Sequence, residues 1–148
     1  MLRTKVAVAV LTLVLLIPIA QGWLGGRTHL ISCRRTVFKP FQVLVADGIP
    51  VVTGSSRLLT TEDEETCGGL EVELRVGRGP RPGQVEVTIL LTNPSPFVWR
   101  GSLDLQIGDF EVPVDVGTVP AGDSVETAVT VRVGEGVTDL TGSLVVGP

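Results

Sequence analysis

From Leu70 onward the chain repeats with period two, and that pattern more than any other restricts what it can fold into. Leu70, Val72, Leu74 and Val76 alternate with Glu71, Glu73 and Arg75. This is the signature of a strand with one buried and one wet face. Gly77-Arg-Gly-Pro-Arg-Pro-Gly83 then supplies a turn, and Val85, Val87, Ile89 and Leu91 alternate with Glu86, Thr88, Leu90 and Thr92. The two runs are predicted to pair as an antiparallel hairpin sharing a buried face. The pattern resumes in Leu103, Leu105 and Ile107, and after Gly108-Asp109 in Phe110, Val112, Val114 and Val116, where Pro113 argues for an edge position. Beyond the turn Pro120-Ala-Gly-Asp123, Val125, Val129, Val131 and Val133 alternate with Glu126, Thr130 and Arg132, and Leu140 to Val146 offers a last strand.

Upstream, Val37 to Ala46 contains Pro40 and reads as an edge or bulged strand, closed by Asp47-Gly48. Ile49 to Thr60 suggests two short strands about Gly54-Ser55-Ser56. Thr61-Glu-Asp-Glu-Glu-Thr66 is the most acidic segment; it lacks the spacing that wraps oxygen ligands around calcium and is expected to be a solvated loop. The chain is 43% hydrophobic but only 4% aromatic, so its core must be built from Val, Leu and Ile, which suits pleated sheets. Its 18 Gly and 10 Pro supply the frequent turns that short strands need. The expected architecture is all-β: an antiparallel sandwich of seven to nine strands over residues 37–148, one domain, preceded by an N-terminal apolar helix and a linker at 23–36.

The N-terminus determines the compartment. Arg3 and Lys5 precede the uncharged run from Val6 to Ala20, and Ala20 and Gly22 are small residues suited to a cleavage site. That is the order of a secretory signal over residues 1–22. Fifteen residues are short for a bilayer core, which takes about 20 residues of helix. The uncharged stretch extends to Gly26, however, with Trp23 able to sit at the interface, so a retained anchor is the alternative. Either reading leaves the bulk of the chain outside, secreted or membrane-anchored. In an oxidising compartment the two cysteines, Cys33 and Cys67, are expected to form a disulfide. They have neither the spacing of a redox pair nor the company of a zinc site, since His29 is the one histidine.

Charge and motif argue against other classes. The net charge of −4 falls further without Arg3 and Lys5, which disfavours a nucleic-acid partner. The chain has no Gly-x-Ser-x-Gly elbow and no phosphate-binding glycine loop, and Gly77–Gly83 lacks the lysine such a loop needs. Arg78 and Arg81 at the hairpin tip are read as keeping that tip soluble. No catalytic residue, metal ligand or cofactor is assigned.

Over residues 82–133 the chain also resembles known families. Pro82-Gly-Gln-Val-Glu-Val-Thr-Ile-Leu-Leu-Thr-Asn93, Leu103 to Gly108 and Val119-Pro-Ala-Gly-Asp-Ser-Val125 are similar to the cell-adhesion-related Ig-like domain of bacterial and archaeal surface proteins. Asp123 stands where that family usually has Glu. Asn93-Pro-Ser-Pro96 is instead similar to the Asn-Pro-Asn-Pro of the water-stress and hypersensitive-response domain of late embryogenesis abundant proteins. Both resemblances imply an Ig-like sandwich without an active site. The first implies an extracytoplasmic module contacting a protein or envelope partner, the second a membrane-associated stress-protection domain.

Overall fold

The structure, a computed structural model, describes residues 30–47, 49–51, 55–108 and 110–148, together with Val10 and Thr12. Arg3, Lys5, Ala20, Gly22, His29 and, apart from Val10 and Thr12, the expected N-terminal helix lie outside the described residues. Twelve strands and one short helix follow in chain order: β1 (Leu30–Ile31), β2 (Val37–Ala46), β3 (Ile49–Pro50), β4 (Ser55–Arg57), α1 (Thr61–Thr66), β5 (Glu71–Arg78), β6 (Gln84–Thr92), β7 (Val98–Arg100), β8 (Ser102–Ile107), β9 (Phe110–Pro113), β10 (Thr118–Val119), β11 (Ser124–Arg132) and β12 (Asp139–Gly147). Five of these strands are only two or three residues long, which is why the count exceeds the expected seven to nine. No helix among the described residues is long and apolar enough to cross a membrane.

The fold is all-β. One sheet runs β3-β2-β12-β8-β9, a second β11-β6-β5-β4, and a small third β1-β7-β10. Every pairing is antiparallel except β1 with β7. The hairpin forms as its alternation requires, with Val72 opposite Leu91, Leu74 opposite Ile89 and Val76 opposite Val87. The inward residues of both larger sheets meet in one apolar cluster. Val72, Leu74, Val87 and Ile89 come from one side, and Val43, Leu105, Ile107, Leu144 and Val146 from the other. Fully burying a side chain of this size stabilises by about 1.5–3 kcal/mol, so these positions carry most of the folding energy.

The sheet order explains both strand prolines. β3 pairs only with Val45 and Ala46, so β2 is an open edge at Pro40. β9 is the last strand of its sheet, and Pro113 ends it. Central β12 departs from alternation at its end, where Leu144, Val145 and Val146 are all buried. Here Gly142 is required by close approach. A Cβ at that position would lie 2.5 Å from the Gln106 carbonyl oxygen and 2.6 Å from Cζ of Phe41, the residue directly across the strand pair.

Residues 30–36, expected as part of a linker, contribute to the fold. Leu30 and Ile31 pair with Val98 and Trp99, and Cys33 is buried.

Candidate functional site

Two of the features singled out in the sequence, the cysteine pair and the acidic run, meet at one corner. Cys33 and Cys67 are joined by a disulfide, with an S–S distance of 2.03 Å, and both are in the core. The bond ties the segment that follows β1 to the residue that ends α1. A backbone bond from Arg34 N to the Thr66 oxygen, 2.9 Å, runs beside it.

The acidic run 61–66 is helix α1, not the expected solvated loop. Two causes act together. Thr60 is its N-cap: Thr60 N donates to Asp63 Oδ2 at 3.0 Å, and Asp63 N reaches back to Thr60 Oγ1. Such reciprocal caps satisfy donors a helix start leaves open, and carboxylates in the first turn suit the helix dipole. The second cause is a set of cations brought from distant positions. Lys39 on β2 pairs with Asp63, Arg57 on β4 with Glu64 and Glu71, and Arg35 lies 3.7 Å from Glu62. Most of these pairs are exposed and contribute little. The Lys39–Asp63 pair is the most enclosed, and the bonds to Lys39 and Thr60 lower the Asp63 pKa from 3.8 to about 2. Asp63 and Glu64 are thus paired with cations of the chain itself, and Glu62 lies near a third. No group of three or more His, Cys, Asp or Glu among the described residues is arranged to hold a metal ion.

A second constellation surrounds Asn93, the one polar residue fully buried among the described residues. Its Nδ2 donates to the carbonyl oxygens of Phe97 at 2.8 Å, Val119 at 3.1 Å and Pro120 at 3.3 Å. Its Oδ1 accepts from Ser95 N at 3.1 Å. One amide thus clamps the Asn93-Pro-Ser-Pro96 loop to β10. Trp99, next to this loop, is fully buried and lies over Gly101, where a Cβ would come within 2.7 Å of the indole. Replacing Asn93 with Ala would remove four bonds at once and leave the buried Val119 carbonyl without this donor, and an unsatisfied buried group costs about 1–3 kcal/mol. Urea denaturation should show Asn93→Ala destabilised by about 2–4 kcal/mol; a loss within 0.5 kcal/mol, the order of an ordinary surface change, would contradict the clamp.

Arg78 and Arg81 flank a shallow cavity of about 330 Å³ shared with Asp47, Ile49 and Gln84. It joins two cationic residues to apolar walls, without a nucleophile or a histidine. More exposed apolar residues lie on the other sheet: Phe38 and Leu44, 61% and 52% exposed, share the outward face of β2, and Phe110 on β9 is 77% exposed.

The helix was legible in principle, from Thr60-x-x-Asp63, but its cations were not, since nothing in the sequence links Lys39 or Arg57 to it. Compared with family models, with characterised proteins and with solved structures, the chain finds no match.

Proposed function

We propose that the protein is a non-catalytic, extracytoplasmic interaction module, an Ig-like β-sandwich delivered by its N-terminal segment and presented to a protein or envelope partner. The observation that carries this reading is the buried Cys33–Cys67 disulfide. Such bonds persist in oxidising compartments. This one fastens the domain only a few residues beyond the uncharged run that ends at Gly26. The exposed Phe38 and Leu44 on one sheet face support an interaction role over stress protection by a uniformly polar surface.

The test is N-terminal sequencing of the protein recovered from membrane and soluble fractions of the producing cell. A start near Gln21 to Trp23 means a cleaved signal, and an intact N-terminus in the membrane fraction, with the domain open to external protease, means an anchor. Intact protein confined to the cytosol would overturn the proposal.

A further inference from the structure

The outer edges of the two larger sheets are unequal. β3 offers two residues and leaves β2 open where Pro40 interrupts it, β4 offers three, and β9 four that end in a proline. β11 offers nine, Ser124–Arg132, without proline or glycine, and among the described residues it pairs with β6 alone. A long open edge is a template for another strand, and proteins usually blunt it.

Hydrogen-bond parity shows which groups this edge presents. On the β11–β6 register, Asn93 N donates to the Asp123 oxygen and Val133 N to the Gly83 oxygen. In an antiparallel ladder, hydrogen-bonded and non-bonded pairs alternate. The odd-numbered residues from 123 to 133 therefore turn their N–H and C=O toward β6. The even-numbered residues Ser124, Glu126, Ala128, Thr130 and Arg132 turn theirs to the open side. Their side chains are exposed, whereas Val125, Thr127, Val129 and Val131 on the inner face are half-buried.

We propose that β11 is a self-association edge: two copies of the chain join β11 to β11, antiparallel, about a twofold axis through Val129. The two four-stranded sheets then become one continuous sheet. Strand addition of this kind draws affinity from main-chain bonds. At this register Glu126 stands opposite Arg132 of the second copy, and Ala128 opposite Thr130, each pair able to exchange two backbone bonds. Of the registers that parity allows, this one alone sets Glu126 directly against Arg132, and the twofold axis repeats that ion pair at the other end. Val129 meets its own copy at the non-bonded pair on the axis, where side chains approach closest. The charge pattern of the edge is thus complementary to itself, which favours a second copy over an unrelated peptide. An isologous contact also closes at two subunits.

The test is sedimentation of the full-length chain in a mild detergent, across concentration, with three charge variants. The wild type should show a monomer–dimer equilibrium. Glu126→Arg and Arg132→Glu should each weaken it by about tenfold or more, since like charges then face each other twice, and the combined Glu126→Arg/Arg132→Glu chain should regain it. Thr130→Pro removes an N–H that no bond among the described residues uses, and should abolish the dimer while leaving the far-UV circular dichroism unchanged; should that variant fail to fold, the charge series decides alone. A wild type that stays monomeric up to about 1 mM would overturn the proposal. So would oligomers that grow without closing, or a dimer indifferent to the single reversals, as one held by the apolar N-terminal run would be, or a double variant that fails to recover.

Discussion

Replacing Val87 or Ile89 with Asp is expected to unfold the domain, while replacing Glu86 with Lys, one residue away on the same strand, is expected to leave it folded. Val87 and Ile89 are fully buried. Val87 lies between Val76 on β5 and Val129 on β11, and Ile89 between Leu74 and Thr127, so neither site offers solvent to a carboxylate. Burying the unpaired charge costs several kcal/mol or forces the group to take up a proton. The lost apolar burial adds about 1.5–3 kcal/mol. Together these approach the whole stability of a small domain, about 5–15 kcal/mol. Glu86 is on the opposite face, across from Gly77 and Thr130, where an exchange is usually within about 0.5 kcal/mol. Circular dichroism and urea titration of the variants check the contrast. Equal tolerance at 87 and 86 would mean that the strand is not registered as described.

The same pleat accounts for what the sequence revealed and what it hid. β5, β6 and β11 were legible because each has one face on the core, so burial follows alternation residue by residue. Pro40 and Pro113 marked open stretches of strand for the same kind of local reason, since a proline lacks the N–H that a ladder bond needs. The small sheet β1-β7-β10 was not legible, because two or three residues hold no period and its pairings join Leu30, Trp99 and Val119 across the chain. The central place of β12 was hidden as well: pairing a C-terminal strand between β2 and β8 is a matter of topology, not of pattern. For the candidate site, the pairing of the two cysteines was readable from their number and from the export expected of the N-terminal run. The helix beside them had only the Thr60-x-x-Asp63 spacing to announce it, and the cations that hold it, Lys39 and Arg57, had no local signal, so its carboxylates resemble a solvated run until those are brought to them. The β11 edge gave no signal either, since an inner strand with one polar face has the same alternation.

Removing the Cys33–Cys67 bond, by reduction or by changing both residues to Ala, is expected to lower the melting temperature by about 10–15 °C while the β spectrum is retained. The bond spans 34 residues of sequence. In the chain-entropy model a loop of that length restrains the unfolded chain by about 4 kcal/mol, an upper figure because real bridges often deliver less. The loop contains β2, β3, β4 and α1, whereas β5, β6, β8, β11 and β12 lie outside it. Those strands keep their pairings without the bond, and Val43 and Val45 still hold β2 on the core. The corner itself should loosen first: the Arg34–Thr66 bond and the enclosed Lys39–Asp63 pair depend on α1 staying against the segment that follows β1. Both sulfurs are buried, so reductant should act slowly on the native protein and quickly once it has unfolded. Scanning calorimetry with and without reductant measures the shift, and thiol counting on denatured, unreduced protein from the producing cell establishes the starting state. Two free thiols per chain there would remove the bond, the expected shift and the main support for an oxidising compartment together.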